Sequence, residues 1–181
     1  VTGSRGNGTG FAFLSPRWIV TAKHVVTADP PTLPRAVFTQ GRPYSARLLF
    51  ADPRVDLAVL ELLGEPPCRR PLMPADRTSE AAGLMCVGYK PSLGDRARGR
   101  YTTVVSHAAW HERSRRQRDG YEEDLFIFPA PDGEPGHSGG PVLTPDGAVV
   151  AVIADGITLA GQRLLRATSI GPLRDQLAQR Q

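Results

Sequence analysis

The chain has 181 residues, enough for one compact unit of one or two small halves and too few for a large multidomain machine. Its 22 Lys and Arg against 18 Asp and Glu leave a formal charge of only +4, and with 40% hydrophobic residues the composition excludes a disordered segment. Gly (19) and Pro (17) make up about a fifth of the chain while aromatics are sparse, which predicts many turns and short strands.

In chain order, Gly10-Phe-Ala-Phe-Leu14 and Trp18-Ile-Val-Thr-Ala22 read as two short apolar strands joined by a turn at Ser15-Pro-Arg17. Strand-sized runs follow at Ala36–Thr39, Ala46–Phe50, Leu57–Leu62, Leu84–Gly88, Tyr101–Val105, Leu125–Phe128, Pro141–Leu143, Ala148–Ile153 and Leu164–Thr168. Between them stand turn sequences such as Ala28-Asp-Pro-Pro31, Gly64-Glu-Pro-Pro67 and Pro145-Asp-Gly147. The Pro-rich, charged stretch from Gly64 to Glu80 reads as a midpoint boundary. One helix is predicted, over 172–180, where Leu173 and Leu177 lie four apart behind Gly171-Pro172. Many short strands without intervening helices predict an all-β, antiparallel sandwich or barrel.

No run of about 18 apolar residues is present to span a bilayer. The opening Val1-Thr-Gly-Ser-Arg5 lacks a signal-peptide pattern, so the cytoplasm is expected in preference to secretion, and a first residue other than Met marks a processed chain or an excised piece. Two cysteines, Cys68 and Cys86, cannot build a disulfide framework. One bridge is arithmetically open, and free or core thiols are the expectation.

Three segments carry chemistry. In Gly136-His-Ser-Gly-Gly-Pro141 a serine is flanked by glycines, which let the backbone turn sharply, expose the hydroxyl and aim N–H groups at one point; a plain tight turn has the same composition. In Thr21-Ala-Lys-His-Val25 an apolar strand ends in His24, the side chain best matched to take a serine proton near neutral pH. In Asp52-Pro-Arg-Val-Asp-Leu-Ala-Val-Leu60 the carboxylate of Asp56 opens a strongly apolar strand, a place that suits either a strand-end cap or a partner for His24.

Taken together these segments resemble the chymotrypsin-like (trypsin-fold) serine proteases, and most closely the bacterial peptidases of the HtrA/Deg kind. Ser15-Pro-Arg-Trp-Ile-Val-Thr-Ala-Lys-His24 is similar to the family's strand-turn-strand ending in Thr-Ala-Ala-His. Val55-Asp-Leu-Ala-Val-Leu60 is similar to its Asp-Ile-Ala-Val-Leu strand, and Gly136–Pro141 to its Gly-Asp-Ser-Gly-Gly-Pro. The order His, Asp, Ser also matches. The resemblance implies one protease domain over 1–181, built as two six-stranded antiparallel β-barrels (about 1–70 and 80–170) plus the C-terminal helix, with the active site in the cleft between them. It implies Ser138 as nucleophile, His24 as general base and then acid, Asp56 as the orienting carboxylate, and the N–H groups of Gly136 and Ser138 as oxyanion hole, with no cofactor. Ala154-Asp-Gly156 resembles the Ser-Trp-Gly edge that pairs with substrate backbone, Asp155 replacing the aromatic and adding an acid near the cleft.

The chain also departs from the pattern. His137 stands where trypsin has the Asp that pairs with a new N-terminal ammonium, so the zymogen switch is expected to be absent and His137 to make local hydrogen bonds. Asp132 lies six residues before Ser138, the spacing of trypsin's pocket carboxylate, which implies selection of Arg or Lys. The surrounding Pro131-Asp-Gly-Glu-Pro135 reads equally as a turn with a solvated Asp, and HtrA-like enzymes prefer small aliphatic residues.

Four arginines in His111–Arg118 are offset by Tyr121-Glu-Glu-Asp124, which predicts a solvated loop in preference to a nucleic-acid surface. The bias toward arginine over lysine, only Lys23 and Lys90 being present, fits a GC-rich coding sequence. His107 and His111 have the spacing of zinc-binding histidines but no helical context. The expected activity is that of a serine endopeptidase acting on protein or peptide substrates, without nucleic acid or membrane; a regulatory domain or partner outside this chain stays open. The alternative, from another class, is a regulated or inactive protease-fold module used for binding or as an effector domain of a larger protein.

Overall fold

A computed structural model describes residues 1–3, 6–27, 35–39, 42–75, 83–91, 101–107, 112–118, 121–129 and 136–179. The N-terminal half holds strands β1 (Thr2–Gly3), β2 (Gly6–Asn7), β3 (Phe11–Phe13), β4 (Ser15–Thr21), β5 (Arg35–Thr39), β6 (Arg42–Ala51) and β7 (Ala58–Leu62), with a four-residue helix α1 (Lys23–Val26) after β4. The C-terminal half holds β8 (Met85–Pro91), β9 (Tyr101–His107), β10 (Glu112–Arg118), β11 (Tyr121–Pro129), β12 (Pro141–Leu143), β13 (Val149–Leu159) and β14 (Gln162–Ser169), then helix α2 (Gly171–Ala178).

Each half forms one antiparallel sheet, in the order β2-β1-β5-β6-β7-β4-β3 and β10-β11-β14-β13-β12-β8-β9. The architecture is therefore mostly β with a small C-terminal helix, as expected. The strand count is not the expected six: among the described residues each sheet has seven, and no pairing closes either sheet into a barrel. The first sheet gains the two-residue ribbon of β1 and β2 at its edge. The second gains β10, which corrects the loop predicted for the arginine-rich stretch. Its register sets Arg115 opposite Asp124 and Arg116 opposite Glu123 along the backbone. His107 ends β9 opposite Met85, a strand setting in which zinc-type helical spacing has no meaning, and His111 lies outside the described residues.

The first hairpin also turns earlier than predicted. Leu14 takes a φ of 59° between β3 and β4, a bulge puts Phe13 opposite Ser15, and Ser15-Pro-Arg17 belongs to the strand. The β13–β14 turn is a two-residue loop in which Ala160 and Gly161 have φ of 48° and 78°, the sense that matches strand twist.

Side-chain alternation explains the packing. In β7, Ala58, Leu60 and Leu62 point into the N-terminal core with Ile19, Val25 and Val26, while Val59 points the other way. That other face is shared by both halves: Phe13, Val20, Leu57 and Val59 meet Val149, Val152, Leu173 and Leu177. A strand buried on both faces reads as a continuous apolar run, as Leu57–Leu60 does. A separate cluster of Phe126, Phe128, Val142, Ile153 and Leu165 fills the C-terminal sheet. Between β7 and β8 the described residues carry only isolated bridges, Phe13 to Leu72 and Pro74 to Val149, which tie the connection to one strand of each sheet. Cys68 is exposed and Cys86 buried, both unbridged, and burial pushes the Cys86 thiol up to about 12. Among the described residues no helix is long and apolar enough to cross a membrane.

Candidate active site

Strands β4 and β7 are direct neighbours, Thr21 opposite Ala58, so His24 just beyond the first and Asp56 just before the second emerge at the same end. The chain turns into α1 there because Val25 and Val26 are drawn into the core, which leaves the His24 side chain outside. His24 is thus helical, and not strand-terminal as its sequence setting predicts. Asp56 meets it twice: Oδ2 lies 2.7 Å from His24 Nδ1, and Oδ1 accepts the His24 backbone N–H at 2.9 Å. A carboxylate only accepts, so the Nδ1 proton is fixed and Nε2 keeps its lone pair.

The electrostatics follow. His24 is raised above its ordinary 6.5 chiefly by the hydrogen bond to Asp56, against some desolvation and with further help from the charges of Asp56 and Asp155. For Asp56, burial alone would raise the carboxyl. The hydrogen bonds from the His24 ring and backbone, with the charges of His24 and Lys23, outweigh it and hold Asp56 below 3.8.

Asp56 is presented by a loop that Asp52 organises. Asp52 is 1% exposed; its Oδ1 accepts the Arg54 and Val55 N–H groups at 2.8 and 3.2 Å, and its Oδ2 accepts Gln176 Nε2 of α2 at 3.2 Å. Its carbonyl accepts Lys23 Nζ at 2.8 Å. The sequence signal for this role was Asp52-Pro53, a turn-starting pair whose carboxylate caps the next residues. Asp52→Ala should destabilise the fold by about 1–3 kcal/mol, the usual cost of stranding buried donors. Thermal unfolding of the purified variant checks this.

The serine segment forms a tight turn over 136–140. Gly136 and Gly139 take φ of 110° and 87°, and the Gly140 N–H bonds the His137 carbonyl at 2.9 Å. Residue 153 of β13 stitches the turn in place, its carbonyl accepting from Gly139 N–H at 2.7 Å and its N–H donating to Gly140 at 2.8 Å. A side chain on Gly139 would run into Thr9, Thr21 and Ala22, so the residue after Ser138 packs directly on the segment leading to His24. The N–H groups of Gly139 and Gly140 are thereby occupied.

His137 is buried, its ring against Gly88, where any side chain would collide with it. The Val1 ammonium donates to the Gly8 carbonyl at 2.8 Å. Asp132 lies outside the described residues. Beyond Ile153, β13 continues through Ala154, Asp155 and Gly156. Among the described residues it pairs there with β14 alone, on one edge, since the pairing of β12 with it ends at Val152. Asp155 is gripped by Arg166 of β14 through both carboxylate oxygens, Nε to Oδ1 at 2.7 Å and Nη2 to Oδ2. Arg166 went unnoticed in the sequence because the bulge between Ile153 and Asp155 sets which residue of β14 faces Asp155.

Residues 8–152 match the family model described as the trypsin-like peptidase domain. The chain belongs to that family. No curated protein sequence matches it. Among solved structures it is similar to the active form of the M. tuberculosis Rv3671c protease, with a TM-score of 0.73 and 26% identity over 94% of this chain and 72% of that one. It also resembles the HtrA-type protease AlgW solved with a decapeptide, with a TM-score of 0.69 and 20% identity over 94% of this chain and half of that one. The MamO protease domain of Magnetospirillum magneticum shares the fold, with a TM-score of 0.68 and 14% identity over 96% of this chain and 90% of that one. This trypsin-like domain is thus a hydrolase-family serine protease fold, with HtrA-type proteases among its structural neighbours.

Proposed function

We propose that the chain is a serine endopeptidase that cleaves peptide bonds through an acyl-enzyme, with Ser138 as nucleophile, His24 as general base then acid, and Asp56 as orienting carboxylate. The observation that carries this reading is the double contact of Asp56 on His24, through Nδ1 and the backbone N–H, which commits Nε2 to accepting a proton. His24 takes the Ser138 hydroxyl proton as the oxygen attacks the substrate carbonyl, and returns it to the leaving amine; water then hydrolyses the ester by the same route. The N–H groups of Gly136 and Ser138 hold the oxyanion, since those of Gly139 and Gly140 are already bonded. Labelling with a fluorophosphonate probe tests the whole assembly, because it needs both an activated serine and a formed oxyanion hole. A folded protein that the probe leaves unlabelled would favour the binding-module reading.

The substrate lies along Ala154, Asp155 and Gly156 as an added strand, supported by the stretch of β13 past Ile153, which among the described residues is paired only by β14 on its other edge. Preference for Arg or Lys before the scissile bond rests on Asp132 alone, because Asp155 is already paired with Arg166. Asp132→Ser should remove that preference and spare hydrolysis of other peptides. A peptide-library profile of both proteins decides: cleavage after Val, Ala or Leu that ignores the substitution would make Asp132 a turn residue.

A further inference from the structure

One residue outside the proposed triad bonds two carbonyls of the serine turn. Thr9 lies between β2 and β3, 1% exposed, in the sequence Gly8-Thr-Gly10. Its N–H donates to the Ser138 carbonyl at 2.8 Å and its hydroxyl donates to the Gly136 carbonyl at 2.7 Å. The same hydroxyl accepts the Tyr89 N–H of β8 at 2.8 Å, and the Thr9 carbonyl accepts the Thr21 hydroxyl of β4 at 2.7 Å. Tyr89 N–H can only donate and the Gly136 carbonyl can only accept, so the single hydroxyl proton has one direction open to it. Every polar group of Thr9 is used, and the bonds reach both sheets and the turn.

We propose that Thr9 is a positioning residue for the oxyanion site, its hydroxyl fixing the orientation of the peptide between Gly136 and His137. The reasoning is geometric. A peptide unit is planar, so holding its carbonyl holds its plane. Gly136, at a φ of 110°, has no side chain to resist rotation, so an outside bond has to select one orientation of its two flanking peptides. Thr9 supplies that bond at the Gly136 carbonyl and a second at the Ser138 carbonyl, so the peptides 136–137 and 138–139 are held on either side of the unit that carries the Ser138 N–H, whose own carbonyl accepts the Gly140 N–H. Gly8 and Gly10 allow the close approach: a side chain at Gly8 would meet the Ser138 carbonyl at 2.8 Å, and one at Gly10 would meet Ile19 at 2.9 Å. The inference deepens the proposed function and rests on Gly136 and Ser138 donating to the oxyanion.

Thr9→Val keeps the shape and removes the hydroxyl, while Thr9→Ser keeps the hydroxyl and removes a methyl. Since losing one oxyanion donor outright costs about 10²–10³ in kcat, Thr9→Val should lower kcat and the fluorophosphonate labelling rate by about 10–100-fold, with KM changed less than about threefold. Thr9→Ser should restore both rates to within about threefold. The amide resonances of Gly136 and Ser138 in 15N-labelled protein should shift in Thr9→Val and return in Thr9→Ser. This readout holds whether or not the wild type hydrolyses peptides, so an inactive wild type would refute the endopeptidase reading without deciding on Thr9. Unmoved resonances and an unchanged labelling rate in a folded Thr9→Val protein would overturn the proposal. So would a loss that Thr9→Ser fails to restore. If Thr9→Val does not fold, Thr9→Ala, which leaves room for a water to replace the hydroxyl, is measured in the same way.

Discussion

Ser138→Ala should lower kcat for peptide hydrolysis by about 10⁶-fold, and His24→Ala, or both changes together, should cost about the same, because members of such a unit are not additive. In the proposed mechanism the serine oxygen attacks and the His24 imidazole takes its proton, so removing either would leave binding and the oxyanion donors at work. The fold should survive. The contacts that seat the serine turn, from Thr9 to the Ser138 carbonyl and between Ile153 and Gly139–Gly140, are made by backbone groups that alanine retains. Steady-state assays of purified variants, with circular dichroism as the folding control, check this; undiminished hydrolysis by Ser138→Ala would refute the proposed mechanism.

Asp56→Asn should lower kcat by about 10⁴-fold with little loss of structure, since an amide placed against Nδ1 favours the wrong imidazole tautomer. It should also move the pH profile. In the wild type kcat/KM should rise with pH as His24 loses its proton, with a midpoint above 6.5, since the bond to Asp56 favours the imidazolium and the charge of Asp155 adds to it. In Asp56→Asn that midpoint should fall. Stability runs the other way. The raised His24 contributes fully below 6.5 and fades as pH climbs through its folded value, while the lowered Asp56 contributes above 3.8 and fades as pH drops through its own. Chemical denaturation of the two proteins across that range should show a pH-dependent difference between them that shrinks at either end. A profile with the same midpoint in both proteins would show that Asp56 does not govern His24.

Local chemistry made much of this readable from residues alone. Alternating or continuous apolar runs located β3 to β9 and β11 to β14, and Leu173 and Leu177 located α2, because burial of one face imposes its period on the sequence. Glycines around Ser138, and a carboxylate and an imidazole beside apolar strands, pointed to Ser138, His24 and Asp56 as the proposed triad, of which the structure brings His24 and Asp56 into contact. What sequence could not reach depends on partners distant in the chain. The strand β10 is a polar segment without an apolar period, and it is a strand through its backbone register with β11. Arg166 meets Asp155 only through a bulge that shifts the register. Gln176 meets Asp52 across 124 residues, and Thr9 meets Gly136 across 127. A hydroxyl or guanidinium looks the same in any exposed strand or loop. Its role is decided when folding brings a particular carbonyl or carboxylate within hydrogen-bond reach, where a fixed partner replaces water.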